Sequence, residues 1–225
     1  MAFNIKSLES FLIIIHKILT DLGLNEKVLI MKRLLLIIIL MLSVQTLSRA
    51  DDIKDFEIEG MSVGDSLLDF FTEDLIKKEI ALDDDGYKNK EYLNLWFDGD
   101  GKFKTYQYLQ VHIKSNDKNY IAQSIEGKII YKDNIEDCYE KKKIIFNELK
   151  NIFPTANVRH SKSKHQADPS GKSLTDTSYF FLSNNTGNIG VACYDWSKEF
   201  GKYDNLKVFI DKPEFLNWLN TKAYK

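Results

Sequence analysis

Tyr108-Leu109-Gln110-Val111-His112-Ile113-Lys114 alternates apolar and polar side chains without a slip. Leu109, Val111 and Ile113 face one side of an extended chain and Gln110, His112 and Lys114 the other, the period-two pattern of a strand with one buried face. Ser115 to Lys118 supplies a polar turn, and Tyr120 to Ile125 returns alongside. Gly127 separates that run from a further short strand, Lys128 to Tyr131. Upstream, Tyr92 to Phe97 looks extended and ends in Asp98-Gly99-Asp100-Gly101, strong turn chemistry. The centre of the chain is therefore an antiparallel meander.

Reading outward, Phe56-Glu57-Ile58-Glu59 alternates as a short strand broken by Gly60. Asp65 or Ser66 can cap a helical stretch carrying Leu67, Leu68, Phe70 and Phe71, and Thr72 offers a second cap, for a helix over Glu73 to Ile80. Residues 82–90 are a polar turn. Downstream, Asn134 is placed to cap the longest helix, with Asp137 reaching back in a capping box. Ile135, Cys138, Ile145, Leu149 and Ile152 recur there at helical spacing, and Pro154 ends the run. Residues 155–176 have no periodicity and read as an exposed loop. Tyr179 to Leu182 and Ile189 to Tyr194 form a hairpin across Asn184-Asn185-Thr186-Gly187, and Leu206, Val208 and Ile210 make another strand. Asp211 and Pro213 open a terminal helix bearing Phe215, Leu216 and Leu219. Strand runs punctuated by single helices predict an α+β fold: an antiparallel sheet of about five to seven strands, one long helix packed on it, and short helices near both ends.

The 225 residues carry 31 basic and 33 acidic side chains, a net charge of −2, with 44% hydrophobic residues. Residues 1–50 hold 6 of the basic and 3 of the acidic groups, leaving 25 against 30 in the rest. That mildly acidic body argues against a nucleic-acid partner, which needs a basic face to displace counterions from phosphates. Residues 31–50, MKRLLLIIILMLSVQTLSRA, place Lys32 and Arg33 before an apolar run from Leu34 to Leu42 and end in Ser48-Arg49-Ala50. Charge, apolar stretch and small-residue cleavage site make a secretory signal peptide. The apolar run is shorter than the ~20 residues of a membrane span, so membrane attachment is expected only where residues 31–50 stay uncleaved. Residues 1–30 read as an upstream mis-start, with translation from Met31, or as an amphipathic extension. The domain proper is then residues 51–225, a single unit in the periplasm.

Both cysteines, Cys138 and Cys193, fall in the exported part, and an even count in an oxidising compartment favours one disulfide. The inward-facing set Ile189, Val191 and Cys193 points Cys193 toward the helix that carries Cys138. A reactive thiol at the start of that helix is the competing reading.

Motifs that could carry chemistry are few. Gly60-Met61-Ser62-Val63-Gly64 matches a nucleophile elbow, making Ser62 the candidate of a hydrolase reading, although no preceding strands build the required sheet and no acid or histidine partner is specified. Gly171-Lys172-Ser173 resembles a P-loop ending, but Gln166 stands where the first glycine belongs. Asp98 and Asp100 suggest a calcium loop, yet Phe103 and Leu109 occupy its glycine and glutamate positions. Arg159, His160, Lys162, Lys164 and His165 form a basic stretch suited to an anion contact. Trp96, Trp196 and Trp218, with Tyr108, Tyr120 and Tyr194, offer rings for a core or for a binding surface. No cofactor and no metal is expected.

The segments FEIEGMSVGDSLLDFF, YIAQSIEGKIIYKDNIEDC and DPSGKS resemble a family of small exported proteins of Pelagibacter-like marine alphaproteobacteria. The resemblance spans nearly the whole of residues 51–225. It implies a periplasmic setting and Met31 as the start, and implies no activity, substrate or site. The expectation is a non-enzymatic periplasmic module that binds a protein or small-molecule partner; the alternatives are a periplasmic hydrolase using Ser62 and a structural factor anchored in the envelope.

Overall fold

The computed structural model describes residues 53–83, 87–132, 134–166, 168–182 and 186–225. Residues 31–50, read above as a signal peptide, and the stretch 1–30 lie outside the described residues, as do positions 183–185 of the expected hairpin turn. Seven strands form one sheet: β1 (Tyr92–Asp98), β2 (Tyr108–Lys114), β3 (Ala122–Lys132), β4 (Asn157–Lys164), β5 (Leu174–Phe181), β6 (Asn188–Asp195) and β7 (Asp204–Asp211). Their spatial order is β1-β2-β3-β7-β6-β5-β4, with every neighbouring pair antiparallel. Three helices accompany them: α1 (Glu73–Ala81), α2 (Ile135–Ile152) and α3 (Pro213–Thr221). The class is α+β, as the alternation predicts.

One register line explains the hydrophobic face. Leu95, Val111, Ile125, Ile210, Ile189, Phe180 and Val158 stand directly opposite one another across all seven strands. All but the partly buried Val158 are inaccessible to solvent. At roughly 1.5–3 kcal/mol for each fully buried aliphatic or aromatic side chain, this line is a main contributor to stability. Helix α2 adds Cys138 and Leu149 to the same core, with Ile135, Tyr139, Ile145 and Phe146 partly buried against it. A disulfide joins Cys138 to Cys193 of β6, with Cα atoms 6.0 Å apart, and no cysteine is free. One turn along α2, Lys142 forms an ion pair with Asp176 of β5.

Four expectations are corrected. Residues 56–59 make no strand: Glu59 and Gly60, both at positive φ, turn a two-residue loop between Ile58 and Met61. Asn134 precedes α2 without a side-chain capping bond. Gly127 does not interrupt β3; the Tyr106 ring sits where its Cβ would be, 2.6 Å away, so glycine admits the ring rather than breaking the strand. Residues 157–164 are strand β4, not loop, because main-chain pairing to β5 suffices at a sheet edge even when the side chains are polar. The Thr72 cap is present, its hydroxyl accepting from the Leu75 N–H at 3.4 Å.

Candidate functional site

The other face of the sheet is built from polar and aromatic side chains in ordered rows. The first row is Asn94, His112, Ser124, Asp211 and Asn188, each opposite the next on β1, β2, β3, β7 and β6, and all buried. Phe215 and Trp218 of α3 pack over its β1–β2 end, where the His112 and Phe215 rings lie 4.4 Å apart. Burial pushes the His112 imidazole down to about 4, so it is neutral at pH 7. Asp211 accepts from the Ser124 hydroxyl at 2.7 Å and from the Asn188 amide at 3.1 Å. Its burial nevertheless pushes the carboxyl up to about 7.

The next two rows carry the charge. Trp96, Gln110, Glu126 and Phe209 form one; Tyr108, Lys128, Lys207 and Ala192 form the other. Lys207 pairs with Glu126, donates to Gln110 Oε1 at 3.1 Å, and lies 5.1 Å from the Tyr194 ring centre. Burial opposes the Lys207 charge, but the Glu126 carboxylate overrides it and raises the pKa. Lys128 stands over Trp96, 4.9 Å from its ring centre. Burial, reinforced by repulsion from Lys207, lowers the Lys128 ammonium to about 8. Trp96 itself is 38% exposed.

A loop supplies the third lysine. Between β6 and β7, Trp196 and Phe200 stack in line with Tyr194, at centroid spacings of 5.2 and 5.9 Å from Trp196. Lys202 lies over both the Trp196 ring (4.9 Å) and the Phe200 ring (5.4 Å). His165, just past the end of β4, packs 4.3 Å from Trp196. Gly201 turns this loop in the left-handed region, at φ +72°. Two carboxylates anchor it. Asp204 accepts from the Trp196 N–H at 2.8 Å. Asp168 accepts from the Ser173 N–H and hydroxyl and from the Ser197 hydroxyl. The Ser173 hydroxyl, first among these donors, holds the Asp168 carboxyl well below the usual carboxylate range.

The arrangement sets Lys128 and Lys207 beside the Glu126 carboxylate, which is already paired to Lys207, and brings Lys202 of the loop within electrostatic reach of Lys128. Lys128 and Lys202 make no ion pair among the described residues. Their ammonium groups are held against ring faces, which attract a cation without neutralising it. Beside Lys128 and Lys207 an anion would meet two ammonium groups against one carboxylate in partly desolvated surroundings, where Coulomb attraction is stronger than in water.

Of the residues singled out from sequence, Trp96, Trp196, Tyr108 and Tyr194 belong to this face. Trp218 belongs to the small core under α3, with Tyr92 and Phe215. Tyr120 lies elsewhere, beside Glu73. The basic stretch does not act as one patch. His160 packs on Phe146, and Lys162 lies over Tyr139, both on α2; Arg159 lies over Phe181 on the opposite side, and Lys164 sits beside Gly171. Only His165 joins the three lysines. Ser62 is buried and its hydroxyl faces the carbonyl oxygens of Phe56 (2.6 Å) and Lys54 (3.0 Å), while no histidine bonds to it among the described residues. The glycines around it serve turns. In the P-loop-like segment, Lys172 pairs with Glu199. Among the described residues no group of three or more His, Cys, Asp or Glu is placed to hold a metal ion, and no helix is long and apolar enough to cross a membrane.

Lys128, Lys202 and Lys207 carry no local sequence signal, since each is a lone lysine among dissimilar neighbours. The available clue is Lys207 flanked by Leu206 and Val208, with Phe209 following, a charge within the most apolar part of its strand. Comparison of the chain with protein-family models, curated protein sequences and solved structures finds no match.

Proposed function

We propose that this chain is exported through residues 31–50 to the periplasm and acts there as a non-enzymatic binding module that receives an anionic ligand on the lysine-bearing face of its sheet. The observation that carries the reading is Lys128 and Lys202 held over ring faces without an ion pair among the described residues, beside the Lys207–Glu126 pair and within a frame of Trp96, Tyr194, Trp196 and Phe200. The disulfide supports an oxidising compartment, where such bonds persist. The resemblance to small exported proteins of Pelagibacter-like bacteria points the same way. Ser62, with its hydroxyl directed at main-chain carbonyls, gives the hydrolase reading no support.

Titration with sodium sulfate, followed by tryptophan fluorescence because Trp96 and Trp196 lie against the lysines, tests the binding. Saturable binding that weakens at least tenfold in Lys128→Met and in Lys202→Ala is expected. The affinity falls as pH rises past 8, where Lys128 loses its proton in the free protein. A fluorescence signal indifferent to sulfate would sink the binding reading. For export, intact mass of the protein from a periplasmic extract should give a chain starting at Asp51; recovery with residues 31–50 in a carbonate-washed membrane fraction would favour the anchored factor instead.

A further inference from the structure

Beside the lysines, at the end of the sheet where β1 turns into β2, lies a pocket of about 590 Å³. That volume is within the ~300–1,000 Å³ typical of small-molecule sites. Tyr108, Phe103 and Tyr203 give it ring surfaces, and Tyr203 is 60% exposed. Asp98 and Asp100 offer carboxylate oxygens, and Lys104 and Lys132 offer donors. The pocket is contiguous with the lysine rows, because Tyr108 stands opposite Lys128 in the β2–β3 register and Tyr203 is the residue after Lys202. The loop that walls it is held by Glu59, whose carboxylate accepts from the main-chain N–H groups of Lys104 (2.7 Å), Thr105 (2.6 Å) and Tyr106 (2.9 Å).

A second observation concerns unpaired polar atoms. Asn94 Oδ1, His112 Nδ1, Thr175 Oγ1, Asn188 Oδ1 and Asn205 Oδ1 are buried without a hydrogen-bond partner, and by register all five belong to the polar face. Leaving such an atom unmet costs about 1–3 kcal/mol, so this face is kept polar at a cost to stability. Asn205 is the nearest to the pocket. It stands opposite Ile130, which lines the pocket, and its amide nitrogen donates to the Tyr203 carbonyl at 3.0 Å, leaving the amide oxygen unmatched.

Ring faces and carboxylates together suit a body rich in hydroxyl groups: rings pack against the C–H face of a sugar, and the Asp98 and Asp100 oxygens accept from its hydroxyls. The adjoining lysines suit a negative group on the same molecule. We propose that the pocket at the β1–β2 turn and the three-lysine cluster are two halves of one site for an acidic saccharide, a short sugar chain bearing a carboxylate or a sulfate. This rests on the anion-binding reading above and adds the identity of the ligand's neutral part.

The test compares four probes by isothermal titration on the full residue 51–225 protein: trigalacturonate, sucrose octasulfate, maltotriose and sodium sulfate. At least one acidic saccharide should bind tenfold or more tightly than both maltotriose and sulfate, and the choice between the first two separates carboxylate from sulfate ester. Tyr203→Ala, at an exposed position that leaves folding intact, should weaken that saccharide at least fivefold and leave sulfate unchanged. If sulfate binds and neither acidic saccharide exceeds it, the two-part site is wrong while the anion site stands. If no probe binds, both fail together.

Discussion

The two faces of the sheet share the same seven strands and differ in almost everything else. On the α2 side, Leu95, Val111, Ile125, Ile210, Ile189 and Phe180 form an apolar line closed by the disulfide. On the other side, positions one residue along hold Asn94, His112, Ser124, Asp211 and Asn188, then Gln110, Glu126, Lys128 and Lys207. A chain selected only to fold would do better with apolar groups in both places, since buried ion pairs and orphaned amides stabilise less than well-packed hydrocarbon. The contrast teaches that the first face sets stability and the second keeps a polar surface at stability's expense, as a binding face does.

The largest expected effect falls on the apolar side. Replacing both Cys138 and Cys193 by serine opens a cross-link of 55-residue separation. In the chain-entropy picture this removes about 4 kcal/mol, read by urea unfolding. Sulfate affinity of the folded variant should be unchanged; a parallel loss of affinity would mean the two faces are not separable.

Next comes the charged pair. Glu126→Leu alone strands Lys207 and should cost about 3 kcal/mol. Combining it with Lys207→Met should restore stability to within about 1 kcal/mol of the parent, or exceed it, while anion binding is lost. A double variant as unstable as the single one would place the pair in the fold rather than in the site.

The effect that is smallest per step is a slope with pH. Asp211 keeps its proton up to about 7 in the folded protein, whereas an unfolded aspartate releases it near pH ~3.9. The folded state therefore holds the proton more tightly, and the stability this contributes is complete below about pH 4 and lost as pH rises to about 7. The decline is at most about 1.4 kcal/mol per pH unit. Asp211→Asn should flatten it; an unaltered pH profile would show that Asp211 does not titrate in this range.

Legibility followed the same division. The apolar face was readable because alternation of apolar and polar types separates the two sides of a strand, even where both are buried: Tyr108–Lys114 and Ile189–Tyr194 announced themselves, and the inward position of Cys193 pointed to Cys138. Strand β4, NVRHSKSK, was invisible because it is polar on both sides, its pairing to β5 being main-chain work. Gly127 misled because a strand glycine serves a close ring as readily as a break. The aromatic members of the site could be picked out as types, but not sorted: only the fold separates Trp96 and Trp196 from Trp218. The lysines were hidden by distance, Lys128 and Lys207 becoming neighbours only when β3 meets β7.

Strand β4 has one further consequence. It is an outermost strand, and every side chain from Arg159 to Lys164 is exposed. Such a strand offers unpaired N–H and C=O groups to any other extended chain, the usual start of edge-to-edge aggregation. Arg159, Lys162 and Lys164 mean that two copies approaching along this border bring like charges together before a single main-chain bond can form. The charges of the basic stretch thus have a physical consequence that requires no ligand: they disfavour pairing of this edge with the same edge of a second copy.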